Sequence, residues 1–442
     1  MNSFWRKLME KKLAEPPAAT PALSADFAKS LLAGLQENLV ADQQQEARKK
    51  IPRAFAVLSP VVPLPPASQA GWFGGVPRLP KGVNWPTIDG EPGRFVCQID
   101  LTALPQNMWN GAGPREGWLA VFMHPQKLKP AVLHFTGGLF QRHEGPPQGD
   151  GFWFRPFDPT GQTWHQRSPE WPIDITSRVG PLPETAKYRK GFAPGFPDPR
   201  KDEVFDVSNP AQIPFNGPTF ELLLASIESE LLKTSNQISV LTAKELTSHD
   251  REKITHAVTV VRETFAEIGA IRRLLLDQVF LFEGQSVIDL LQRLVALRAP
   301  AIKRLDDDKA GKMVIDVQVH ALAIPRALGQ PCWQRDYLGR LYRYGYHSYL
   351  RDPSSLPVAQ KTRLEAILAF EAAYEHGAMG HAPTGHLHTP YGPGTPTEVL
   401  LELPTSDLIG WCWGDMYKVA FFINRDRLEM GRFDGVTAEI TN

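Results

Sequence analysis

Gly71-Trp72-Phe73-Gly74-Gly75-Val76-Pro77-Arg78-Leu79-Pro80 decides how the rest of the chain is read. It runs on through Asn84-Trp85-Pro86 to Phe95-Val96-Cys97-Gln98-Ile99-Asp100-Leu101. Gly74 and Gly75 admit backbone angles closed to residues with a Cβ. Pro77, Pro80 and Pro86 fix φ and push the residue before each towards extended conformations. The stretch is therefore a stiff, non-helical loop carrying two indoles. It feeds an apolar strand that ends in a carboxylate, Asp100.

Outward from this loop the chain stays β-rich. Ala54-Phe55-Ala56-Val57-Leu58 reads as a strand closed by Pro60, Pro63, Pro65 and Pro66. Trp118–Met123 and Ala131–Phe135 are two more apolar runs of strand length, with Pro125 and Pro130 marking a loop or hairpin between them. At the far end Leu400-Leu401-Glu402-Leu403 precedes Gly410-Trp411-Cys412-Trp413-Gly414-Asp415 and the aromatic run Phe421-Phe422-Ile423.

The first motif resembles the opening signature of the YwqG-like family, a domain of unknown function (DUF1963), and the second is similar to that family's closing W-G-D turn and aromatic strand. The resemblance covers roughly residues 50–135 and 380–440. It implies one β-rich domain assembled from both ends of the chain, since either part alone has too few strands for a stable sheet. It brings no established activity. Family members look like neighbours of bacterial toxin and secretion systems, which implies an immunity or adaptor role.

The middle differs. From Gly137 to Pro218 prolines and aromatics crowd together with little periodicity, which predicts ordered loops and short strands wrapped around the sheet. From Thr219 to Ala299 there is no proline at all, and glycine occurs only at Gly269 and Gly284. Leu222, Leu223, Ile227, Leu231 and Leu232 define one helix. Ile254, Val258, Val261, Phe265, Ile268 and Leu275 define a longer one, with Thr247 and Asp250 as its capping pair. Val287 to Leu297 is a third. Val314–His320 alternates as a half-buried strand, Tyr337, Tyr342, Tyr344, Tyr346 and Tyr349 crowd a polar stretch, and Pro357–Glu375 is a helix with Leu364, Ile367, Leu368 and Phe370 inward. The fold class expected is α+β: a mainly antiparallel β-rich domain with a helical hairpin or bundle inserted. Its parts are an N-terminal helical segment at 1–50, the first β-rich part at 51–218, the insertion at 219–312 and the second β-rich part at 313–442. Within the first segment, residues 1–13 are basic and amphipathic, and Ser24 caps a helix running to about Lys50.

A chain of 442 residues with no formal net charge has no bulk electrostatic pull on nucleic acid. No apolar run reaches the ~18 residues of a membrane span, and the N-terminus lacks the apolar core of a signal peptide. A cytoplasmic protein is expected. Cys97, Cys332 and Cys412 sit among apolar neighbours, so they read as buried thiols rather than a disulfide framework.

Four histidines, His376, His381, His386 and His388, fall within thirteen residues. His386 and His388 on an extended segment would point to one side, and Glu375 or Glu402 could add a carboxylate. No helical metal-ligand spacing accompanies them, and the prolines around them indicate a rigid surface loop. Asp100 and Asp415 each end a strand in a family-like motif. Brought together they would suit acid–base hydrolysis; apart, they serve local hydrogen bonds in turns. No nucleophile elbow or phosphate-binding loop occurs. The reading is a protein-binding module, with Trp72, Trp85, Gln98, Asp100, Trp413 and Asp415 as the candidate binding residues. No cofactor and no metal are expected. The alternative is a hydrolase using Asp100 and Asp415 or the histidines.

Overall fold

The computed structural model describes residues 54–65, 70–137, 140–146, 151–154, 168–180, 203–243, 246–277, 285–306, 313–321, 333–381, 387–392 and 394–441. The N-terminal segment, Trp164, Cys332 and His386 lie outside these residues.

The strands are β1 (Ala54–Pro60), β2 (Gly71–Phe73), β3 (Arg78–Pro80), β4 (Thr87–Ile88), β5 (Glu91–Pro92), β6 (Arg94–Asp100), β7 (Trp118–Met123), β8 (Pro130–Phe135), β9 (Phe140–Arg142), β10 (Trp171–Val179), β11 (Arg298–Asp306), β12 (Met313–Ala321), β13 (Gly377–Met379), β14 (Thr397–Pro404), β15 (Lys418–Asn424) and β16 (Thr437–Thr441). Ten of them form one sheet in the order β16-β15-β14-β13-β1-β10-β2-β6-β7-β8. Every pairing in it is antiparallel. The two ends of the chain thus share one sheet, as the paired motifs imply. The sheet curls until it is nearly barrel-shaped. The His134 ring of β8 lies 5.4 Å from that of Phe433, just before β16. The Trp109 indole donates to the Val399 carbonyl of β14 at 2.8 Å.

The stretch read as loops and short strands contains a nine-residue strand at the centre of this sheet. In β10, Trp171 and Ile173 are buried and Ile175 packs on the core, while Asp174 and Thr176 face out. That is a period-two pattern hidden by Pro172, whose missing N–H is tolerated where β10 passes from β1 to the three-residue β2.

The inserted segment carries its own core. Helix α1 (Gly217–Thr242) starts at a reciprocal cap: Asn216 Oδ1 accepts from the Thr219 amide at 2.9 Å, and Thr219 Oγ1 accepts from the Asn216 amide at 3.1 Å. Helix α2 (Ser248–Asp277) starts at Thr247, whose hydroxyl accepts from the Asp250 amide and donates to its carboxylate. Arg272 of α2 forks onto Glu221 and Glu228 of α1, so the pair runs antiparallel. Leu223, Ile227, Leu231, Ile254 and Ile268 are buried, whereas Leu232 faces solvent. Helix α3 (Gln285–Ala296) completes the set. The ribbon β11–β12 packs on it, so residues 298–306 are strand where the sequence reads as helical insertion.

The tyrosine-crowded polar stretch, to which the sequence reading assigns no element, is helix α4 (Trp333–Arg351). Trp333, Tyr337, Leu338 and Leu341 sit in the core of the inserted unit, and Tyr346 and Tyr349 sit in the sheet core. One rod thus joins two cores. Helix α5 (Val358–Tyr374) covers the sheet, and α6 (Arg425–Glu429) is a single turn after β15. Among the described residues no helix is long and apolar enough to cross a membrane.

Candidate functional site

The signature loop is held by two of the residues singled out in the sequence. The Trp72 indole, buried, donates to the Val76 carbonyl at 3.1 Å, and the Arg78 guanidinium lies 4.2 Å above its ring. The Gln98 side chain, buried on β6, clasps the backbone of Arg78: Oε1 accepts from the Arg78 amide at 2.9 Å and Nε2 donates to its carbonyl at 3.1 Å. A primary amide carries a donor and an acceptor side by side, spaced to satisfy a peptide's carbonyl and amide together. Trp85 donates to the Gly93 carbonyl at 2.8 Å and packs edge-on against Phe122. Trp72 and Gln98 are buried framework, and Trp85 is half-buried.

The frame leaves a cleft of about 520 Å³ beside it. One wall is Gly75, Val76 and the segment Ser168–Pro172; the other is Leu64, Pro65 and the end of α4, with His347, Leu350 and Arg351. Gly75 takes φ of +67°, and a Cβ there would meet Glu170 Cβ at 2.5 Å. Glu170 is bound to Arg78 at 2.7 Å and lies 3.5 Å from Arg142, which also lines the cleft. Arg351 has no ion-pair partner among the described residues. The cleft therefore presents Arg351, Arg142 and His347 against one carboxylate that is already neutralised. Sequence reading named none of these groups. The signal was weak, since they lie far apart in the chain and, of the cleft lining, only Gly75 and Val76 belong to the motif.

The other candidates are dispersed. Asp100 caps a turn, accepting from the Thr102 amide at 2.9 Å and hydroxyl at 2.8 Å. Trp413 is buried, donates to the Pro404 carbonyl at 3.0 Å, and packs with Trp411 and Trp153. Asp415 is exposed, and no hydrogen bond or ion pair joins it to Asp100 among the described residues. The turn it belongs to is held instead by Thr405, whose hydroxyl accepts from the Trp413 amide at 2.9 Å. Cys97 is buried, and burial pushes its thiol far above the ordinary range. Cys412 is half-buried and donates weakly to the Gly414 carbonyl.

The described histidines, His376, His381 and His388, do not converge. The His381 ring packs on Phe55 at 4.4 Å, and the exposed His388 is tied down through its amide to Glu439. His376 is half-buried in a second cleft of about 360 Å³, and its imidazole is pushed down to about 4 by burial and by the charges of Lys418 and Arg178. The one cluster of three ligating side chains among the described residues is Glu371, Glu375 and Asp407. There the Glu375 carboxylate accepts from the Ser406 hydroxyl at 2.6 Å and from the Asp407 and Leu408 amides at 3.0 and 3.2 Å. It closes the turn before Trp411, which is a structural duty.

Residues 72–138 match the family model described as "Domain of unknown function (DUF1963)". The YwqG-like resemblance is consistent with that family. The matched residues supply Trp72, Gly75, Val76, Arg78 and Gln98, which make part of one wall of the larger cleft and the clasp behind it. No curated protein matches the chain.

Proposed function

We propose that the protein is a binding module of the bacterial cytoplasm that recognises another protein, in the manner of an immunity or adaptor protein for a toxin or secretion-system effector. The observation that carries this reading is the position of the larger cleft. It lies where the signature loop meets the end of α4, the helix shared by the sheet core and the inserted unit. A partner seated there touches the signature loop and the sheet-core end of α4 together, and a standard interface of about 800 Å² per side extends well beyond the cleft. Arginine is the side chain best suited to anchor such a contact. Asp100 caps a turn and no hydrogen bond or ion pair joins the exposed Asp415 to it among the described residues, so the hydrolase reading gains nothing from the geometry.

The test uses the full chain. Deleting residues 219–299 would strip the cover from Trp333, Tyr337, Leu338 and Leu341 and confuse unfolding with loss of binding. The chain, immobilised in lysate of its native host, is expected to retain an effector-like protein. That protein, purified, should bind it with micromolar or tighter affinity. Arg351→Glu should weaken this by about tenfold or more, as loss of a central charged anchor does. A purified partner that binds wild type and variant equally would remove the cleft from the interface. No retained partner at all would sink the binding reading.

A further inference from the structure

We propose that the smaller cleft is a second, separate site that takes a small oxyanion, a carboxylate or a sulfate- or phosphate-like group, held between the Arg178 guanidinium and the His376 imidazole with the Ser59 hydroxyl as neutral donor. The cleft lies between the end of α5 and strands β1 and β10. Its lining is Val57, Ser59, Pro60, Val62, Arg178, Ala369, Ala372, Ala373 and His376. The alanines are what make room: about 360 Å³ is the space of roughly twelve waters at ~30 Å³ each. That accommodates a tetrahedral or planar anion with part of its hydration shell. The ionisable side chains on its wall are Arg178 and His376, and neither is acidic.

The charges around the imidazole all bear on the same point. Arg178 faces it from β10, and Lys418 reaches it from β15. Lys418 Nζ stands 2.9 Å from Glu402 Oε1 of β14, close enough for an ion pair though not aligned as a hydrogen bond. On α5 the backbone of Ala373 hydrogen-bonds His376 and partly opposes the two cations. Glu375, the residue before His376, turns away to the amides of Asp407 and Leu408. Asp174, opposite Ser59 in the β1–β10 pairing, accepts from the Ile175 amide. A half-buried imidazole under the influence of two cations resists protonation, and an anion seated between it and Arg178 offsets that resistance. Anion binding and protonation of His376 are then reciprocally linked, each strengthening the other.

The experiment is a calorimetric titration of the full chain with sodium sulfate and, separately, sodium acetate, against chloride at matched ionic strength, at pH 7.5 and pH 5.5. At least one oxyanion is expected to saturate, and its affinity should rise severalfold at the lower pH. Sulfate alone saturating points to a tetrahedral group, acetate alone to a carboxylate, and both to the shared chemistry. Arg178→Gln should weaken binding about tenfold. His376→Asn should keep binding but flatten the pH dependence. In the wild type, the His376 imidazole followed by NMR should titrate at a higher pH in saturating anion than its starting value of about 4. The NMR measurement needs no variant, so it decides the matter even if Arg178→Gln folds poorly. Absence of saturation by either ion, an unchanged His376 midpoint, or wild-type affinity in Arg178→Gln each overturns the proposal. Partner binding at the larger cleft does not enter any of these readouts.

Discussion

At Gly74-Gly75 the backbone reverses with φ of +63° and +67°, and at Gly414-Asp415-Met416 it reverses with +56° at the glycine and +68° at the methionine. Both turns follow a buried tryptophan and both adjoin a strand of the same sheet. The first runs into a loop that Gln98 on β6 clasps at Arg78, and its own Gly75 and Val76 wall a cleft. The second is held from within by Thr405 and packed with Trp153, Trp411 and Trp413. Similar turn residues thus give one turn that walls a cleft and one that stands exposed above a tryptophan core. What separates them is the neighbour that supplies the hydrogen bonds, and that neighbour is remote in sequence.

The sharpest way to break this comparison is to add one methyl group to each turn. A Cβ at Gly74 would stand 2.2 Å from the Pro169 carbonyl oxygen and 2.9 Å from Ile409 Cγ2, so backbone must move. At Gly414 the nearest atom would be 3.3 Å away, a side-chain carbon of Tyr417. Gly74→Ala is expected to cost roughly 3 kcal/mol or more, combining left-handed strain with overpacking. Gly414→Ala should cost about 1 kcal/mol, the strain alone. Urea unfolding of both variants measures the difference. Equal losses would mean that the first turn is free to relax and that its close approach to Ser168–Pro169 is not a constraint.

The second effect is smaller and isolates the clasp. Gln98→Ala removes both hydrogen bonds to Arg78 and leaves a cavity on β6, an expected loss of about 2–3 kcal/mol. Gln98→Glu keeps the shape but, ionised, can only accept, so the Arg78 carbonyl loses its donor and a charge is buried. It should be at least as damaging at neutral pH and recover as the carboxyl protonates. If Gln98→Ala is silent, Trp72 and the glycines alone hold the loop.

The legible parts of this fold were those where one residue type repeats at the period of its element. Trp118–Met123 and Leu400–Leu403 announce buried strands, and Leu223, Ile227 and Leu231 announce a helix face. β10 was missed because Pro172 and the polar residues between its apolar positions look like loop chemistry. α4 was missed because tyrosines spaced for two different cores do not form one stripe. At the site, Trp72 and Gln98 could be singled out from the motif, but their duties could not. Arg351, Arg142 and Glu170 come from three distant segments, and no local pattern links them. Asp415 was the reverse case: a motif residue whose side chain makes no hydrogen bond holding the turn.

The finest contrast therefore lies within the second turn. Thr405→Val keeps the shape of the side chain but deletes the hydroxyl that accepts from the buried Trp413 amide. A buried donor left unsatisfied costs about 1–3 kcal/mol, so a loss near 2 kcal/mol is expected. Asp415→Ala removes an exposed carboxylate and should stay within about 0.5 kcal/mol of wild type. Denaturant midpoints for the pair check this directly, since neither change should alter the amount of surface exposed on unfolding. If Asp415→Ala costs as much as Thr405→Val, the carboxylate holds the turn and the two turns are less different than their hydrogen bonds indicate. If it is neutral in stability, the same variant belongs in the partner-binding assay. An aspartate that does no structural work, presented beside exposed Met416 and Tyr417, is then free to act as a contact, and a loss of affinity without a loss of stability would assign it that role.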